Sequence, residues 1–96
     1  MGIKNYKFLE SLAKLPFIEE IWLFGSRARD TNDERSDIDI AIICPKATNS
    51  DWLQVSNILE NADTLLKIDY VRFDLLKLGD KFRDNILRYK KIIYKR

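Results

Sequence analysis

The 96-residue sequence contains no histidine, which excludes imidazole general-base chemistry and histidine-ligated zinc. It has one cysteine, Cys44, so no disulfide can form within the chain. A lone thiol among apolar neighbours reads as a small core residue and suits a reducing cytoplasm. Apolar runs are only a few residues long, so neither a membrane span nor a signal peptide is expected. Neither sign of charge dominates: 17 Lys and Arg against 15 Asp and Glu leave a net charge of +2. That balance argues against a strongly basic nucleic-acid binder, and direct nucleic-acid binding is not expected. With 46% hydrophobic residues, the composition fits one globular domain over residues 1–96 with a modest core.

Glycine is scarce, and one of the three stands in the most unusual stretch of the chain. Ile21-Trp22-Leu23-Phe24 is apolar at every position and reads as a strand covered on both faces. It stops at Gly25-Ser26. A glycine there allows backbone angles closed to other residues and close approach of a ligand to the main chain. A serine there can cap a helical turn and offer a hydroxyl to a phosphate, while the turn's N–H groups can cradle an anion. Arg27 and Arg29 follow and add charge-assisted donors. Gly-Ser by itself is a common turn dipeptide, so its weight comes from what lies ten residues on.

There the chain reads Asp37-Ile38-Asp39-Ile40-Ala41-Ile42-Ile43. Side chains alternate along a strand, so Ile38, Ile40, Ile42 and Cys44 share an apolar face. Asp37 and Asp39 share the other, about 7 Å apart along the strand. Asp is disfavoured in strands, and like charges on one face repel. Two readings fit: a solvated strand end, or a ligand pair for a divalent cation, which takes oxygen ligands and cancels the repulsion. A third strand-like run, Leu66 to Phe73, carries Asp69. It is either an exposed strand residue or, if this strand pairs beside Asp37–Asp39, the third member of a carboxylate patch. Three such carboxylates can hold two metal ions, as activation of an attacking oxygen and release of pyrophosphate require.

Gly25-Ser26, ten residues and then Asp37-Ile38-Asp39 resembles the Gly-Ser-x10-Asp-x-Asp signature of polymerase-β-like nucleotidyltransferases. The longer string Phe24-Gly25-Ser26-Arg27-Ala28-Arg29, followed by Ser36-Asp37-Ile38-Asp39-Ile40, is similar to the minimal nucleotidyltransferase (MNT) domain, often encoded beside a HEPN-domain partner. The resemblance implies a small α/β (α+β) fold, a mixed β-sheet of three or more strands packed by helices. It implies nucleoside triphosphate binding, ATP in the MNT case, at Gly25, Ser26, Arg27 and Arg29. Asp37, Asp39 and Asp69 are the implied catalytic and metal residues, with two Mg²⁺ ions, and Asp69 helps to activate the acceptor hydroxyl. For MNT proteins it further implies an antitoxin that transfers AMP to a tyrosine of a HEPN toxin, in the cytoplasm and in a homodimer or hetero-oligomer. Two alternatives stand beside this: an antitoxin that is weak or inactive as an enzyme and acts by binding the toxin, and transfer to a small molecule or RNA. One departure is plain. The family usually has glycine where this chain has Asp30, an acidic side chain near the expected triphosphate site.

The remaining elements are read from periodicity. A first helix is expected over Ile3 to Leu15, ended by Pro16. Residues 28–35 form a polar connection, with a turn at Thr31-Asn32-Asp33. A helix capped by Asn49 or Ser50 runs to about Asp63, with Trp52, Val55, Leu59 and Ala62 on its core stripe and Leu53 and Ile58 alongside. The last helix is expected over Asp80 to Ile93, where Phe82, Ile86, Tyr89 and Ile93 recur at helical spacing. Its polar side is basic, which reads first as a solvated face.

Overall fold

Strands β1 (Glu20–Phe24) and β2 (Ile38–Ile43) form the middle of a four-stranded sheet. The computed structural model describes residues 6–31 and 35–96. The elements run α1 (Lys7–Ala13), β1, α2 (Gly25–Ala28), β2, α3 (Asn49–Glu60), β3 (Ile68–Arg72), α4 (Lys81–Tyr89) and β4 (Lys91–Lys95). A single 3-10 turn, Phe73–Leu75, follows β3.

The sheet order is β3-β2-β1-β4. β1 is antiparallel to both β2 and β4, while β2 and β3 are parallel and joined through α3. The mixed, helix-packed sheet expected from the sequence is present. Parallel pairing needs a crossover of a dozen or more residues, which α3 supplies.

Each face of the sheet has its own core. Ile21 and Leu23 of β1 and Ile38, Ile40 and Ile42 of β2 pack with Phe8, Leu9 and Leu12 of α1 and Val55 and Leu59 of α3. On the opposite face Trp22, Phe24 and Ala41 pack with Phe73 and with Ile86 of α4. This second core explains why β1 is apolar without alternation.

Three details of the helices differ from the sequence reading. The first helix ends at Ala13 rather than Leu15, and its expected start at Ile3 lies outside the described residues. The cap of α3 is Thr48, one residue before the expected Asn49: its hydroxyl accepts from the Asp51 N–H at 3.1 Å, and the Asp51 carboxylate accepts from the Thr48 N–H at 2.9 Å. Leu53 on this helix faces solvent rather than the core.

The larger correction is at the C-terminal end. The helix expected to reach Ile93 stops at Tyr89, and Lys91–Lys95 form an edge strand. β-Branched Ile92 and Ile93 and Tyr94 favour strand, and β1 offers an unpaired edge. Pairing matches Leu23 with Lys91 and Glu20 with Lys95, with a register shift between Ile21 and Trp22. Arg96 then fastens this strand to the loop after α1, donating to the carbonyls of Ile18 at 2.9 Å and Leu15 at 2.7 Å.

Candidate active site

Fully buried Ile38 and Ile40 pin the start of β2 into the α1–α3 core. The strand's alternation then forces Asp39 to the opposite face. Its neighbours there are set by register. Phe24 of β1 lies across from it on one side, and Asp69 of β3 on the other. Two carboxylates therefore stand side by side on adjacent parallel strands, which lie about 4.8 Å apart.

Gly25 backs Asp39. It follows β1 directly with φ +71°, and a Cβ at this position would run into the Asp39 carboxylate. Only glycine meets both demands, a left-handed backbone and a carboxylate lying against the main chain.

Like charges crowd this end of the two strands. Burial pushes the Asp39 carboxyl above its ordinary value of 3.8, followed by the charges of Asp69 and Asp37, with a hydrogen bond to Asp69 acting in the same direction. Lys67, whose Nζ lies 3.5 Å from Asp69 Oδ1, opposes this weakly. Asp37 is exposed and precedes the first paired residue of β2. The chain thus brings Asp39 and Asp69 together and sets Asp37 at their margin. Among the described residues no group of three Asp, Glu, Cys or His side chains is gathered closely enough to hold a metal ion.

The turn after Gly25 is tied on several sides. Ser26 offers its carbonyl to the Thr31 N–H at 2.9 Å and hydroxyl at 3.3 Å. Arg27 donates twice to the Ser36 carbonyl, at 3.3 Å from Nε and 2.9 Å from Nη2, and so braces the segment leading into Asp37. The Arg29 guanidinium lies 5.2 Å from the ring centre of Tyr89 at the end of α4. Asp30 adopts φ +58°, in the left-handed region that Asp tolerates better than most residues other than glycine. Its carboxylate pairs with Lys91 Nζ at 2.9 Å. Of the expected turn at Thr31-Asn32-Asp33, residues 32–34 lie outside the described residues.

Alternation along the third strand-like run already puts Lys67 on one face with Asp69, and the structure adds their ion pair. One contributor escaped the sequence reading. Lys91 is 61 residues from Asp30, and no local pattern links them.

A scan against family models matches residues 7–96 to Polymerase beta, Nucleotidyltransferase. The chain belongs to this polymerase β nucleotidyltransferase family. Among solved structures, the nucleotidyltransferase is similar to one described as a putative nucleotidyltransferase from Sulfolobus solfataricus, with 29% identity and a TM-score of 0.62, over 94% of this chain and 76% of that one. It shares its fold with a toxin–antitoxin solved with AMP-PNP, at 22% identity and TM-score 0.66, over 94% of this chain and 69% of the other. It likewise shares its fold with a mutant form of the toxin–antitoxin MntA–HpeT, at 23% identity and TM-score 0.62, over 94% and 68% of the two chains. None of the curated proteins matches it. No helix among the described residues of this nucleotidyltransferase is long and apolar enough to cross a membrane.

Proposed function

We propose that this nucleotidyltransferase is a Mg²⁺-dependent protein adenylyltransferase and the antitoxin of a toxin–antitoxin pair, moving AMP from ATP to a tyrosine hydroxyl of a HEPN-type toxin in the cytoplasm. The observation that carries the reading is the in-register pair Asp39 and Asp69, with the Asp39 carboxylate lying against the backbone of Gly25. Its oxygen donors and mutual repulsion suit a hard divalent cation. The shared fold with a toxin–antitoxin solved with AMP-PNP, and with MntA–HpeT, supports the choice of nucleotide and partner.

The roles follow from position. Asp37 and Asp39, with Asp69 beside them, would hold two Mg²⁺ ions. When bound, these ions supply charge neutralisation at the triphosphate and Lewis-acid activation of the attacking oxygen. Gly25 leaves room for a phosphate at the main chain, and the Ser26 hydroxyl with Arg27 and Arg29 lines the same turn. Asp69 takes the proton of the tyrosine hydroxyl as its oxygen bonds to the α-phosphorus. The bond from that phosphorus to the bridging oxygen breaks, and pyrophosphate leaves.

A second reading has one observation in its favour: among the described residues three carboxylates do not close into a metal-binding set. On that reading the chain inhibits its toxin by contact alone. Incubation with Mg²⁺ and ATP, with and without the toxin encoded beside it, followed by intact mass, separates the two. Adenylyl transfer predicts one or more AMP units on the toxin, lost in Asp37→Ala. A stable inhibitory complex with no mass gain overturns it in favour of binding.

A further inference from the structure

The β1–β2 ladder ends at Phe24 and Asp39. Continued three residues further, its register would set residue 27 opposite residue 36. The chain leaves the ladder instead, turning at Gly25 with φ +71° into the short helix α2. The approach to β2 therefore loses its strand neighbour on one side. On the other side β3 still holds it, since the Ile38 N–H donates to the Lys67 carbonyl at 2.9 Å.

Arg27, on α2, takes over the vacated side. Its guanidinium donates from both Nε and Nη2 to the Ser36 carbonyl and so bridges nine residues of sequence. Two of its five N–H donors are committed to one main-chain oxygen, and the planar fork sets their direction. These bonds are partly buried, which strengthens them against competition from water. Asp37 follows Ser36 directly, is exposed, and lies just outside the ladder. Its carboxylate shares the Asp39 face only while the chain runs extended into Ile38. Two anchors flank it: the ladder from Ile38 onward, and Arg27 at Ser36. Gly25, at the start of the same turn, lies against the Asp39 carboxylate. The turn therefore touches the chain on both sides of Asp37.

We propose that Arg27 is a positioning residue for the divalent cation: by holding Ser36 it keeps Asp37 on the Asp39 face, where both carboxylates can ligate one ion. The proposal rests on the reading of Asp37 and Asp39 as metal ligands and gives Arg27 its part in that reading. Two other roles for this guanidinium make different demands. As a direct donor to the triphosphate, Arg27 would set nucleotide affinity even without metal. As a bare positive charge it would repel the ion, and its removal would tighten metal binding. Acting through Asp37 it does neither. Its removal weakens metal binding, and only where Asp37 is present to be misplaced.

The test is a double-mutant cycle read by metal binding. Mn²⁺ is titrated into the full chain without nucleotide, and the free ion is followed by its paramagnetic resonance signal. Binding of α,β-methylene-ATP in EDTA is measured alongside, and circular dichroism checks the fold of each variant. Arg27→Gln and Asp37→Asn are each expected to weaken Mn²⁺ binding about tenfold. In the Asp37→Asn background, Arg27→Gln should add less than about twofold. Arg27→Lys keeps the charge and a single donor, and its affinity should fall between those of the parent and Arg27→Gln. Nucleotide affinity in EDTA should stay within about twofold of the parent in every Arg27 variant. Tighter Mn²⁺ binding in Arg27→Gln, an equal loss in both backgrounds, or a tenfold loss of nucleotide in EDTA overturns the proposal and leaves the metal ligands standing. Asp37→Asn with the parent's Mn²⁺ affinity removes Asp37 from the metal site and overturns that reading and the role of Arg27 together.

Discussion

Strands β2 and β3 run parallel, so each end of the pair gathers side chains from both, and the two ends treat charge in opposite ways. At the C-terminal end Arg72 and Asp74 are almost buried, their side chains 11% and 17% exposed, and every contact is complementary. Arg72 Nε meets Asp74 Oδ2 at 2.9 Å, and its Nη2 donates to the carbonyls of Cys44 at 3.1 Å and Ala47 at 2.8 Å. Asp74 accepts from the Cys44 N–H at 2.9 Å. At the N-terminal end Asp39 and Asp69 face each other with Asp37 nearby, and Lys67, on an exposed side chain, lies 3.5 Å from Asp69. A partly buried pair of like charges costs stability. The like-charge pair at the N-terminal end is where the proposed active site lies, and the paired network at the C-terminal end is structural.

The widest separation of the two ends comes from removing one side chain at each. Asp39→Ala is expected to lower adenylyl transfer by roughly 10³-fold or more, as loss of a group that stabilises developing charge does, while the urea midpoint stays at or above that of the parent. Arg72→Ala should do the reverse to stability, lowering it by about 3–5 kcal/mol, because Asp74 is left buried without its cation. Matched urea titrations and initial rates would break the comparison if Asp39→Ala unfolded the chain or Arg72→Ala left it as stable as before.

A smaller effect sharpens the same contrast through pH. Asp39 holds its proton more tightly in the folded chain than in the unfolded one. Its contribution to stability is therefore fully present below the ordinary carboxylate value of 3.8, and is lost as the pH rises through the higher folded value. Asp39→Asn removes that loss. At neutral pH in EDTA this variant should melt a few degrees above the parent, and the gap should close as the pH falls below 3.8. A gap that widened in acid would reverse the sign assigned to this group. Burial likewise raises the Cys44 thiol to about 11, with Asp74 adding to it, so alkylation at neutral pH should be slow until the chain unfolds. Fast labelling of the native chain would show that the paired end opens.

The smallest expected change is at Asp30. Asp30→Gly relieves the left-handed backbone but removes the exposed pair with Lys91. These oppose each other, and the melting temperature should scarcely move. A several-fold gain in transfer would mean that this carboxylate reaches the triphosphate rather than Lys91 alone.

Much of this was legible in the chain itself. Alternation of Ile38, Ile40 and Ile42 with Asp37 and Asp39 determined which face of β2 would be core and which would carry carboxylates, because the strand period is two. The unbroken apolar run Ile21–Phe24 announced a strand covered on both sides. Gly25 marked where the backbone must turn sharply. These are local consequences of covalent geometry, and the sequence records them directly. What it could not record is the register between segments far apart. Asp69 joins Asp39 because β3 pairs in parallel with one particular alignment. Ile92–Tyr94 is strand because β1 has an edge to fill, against a helical spacing that read plausibly to Ile93. Asp30 is paired because that strand brings Lys91 across from it. In each case the deciding energy comes from hydrogen bonds and packing between distant segments, and only the folded chain brings those groups within reach of one another.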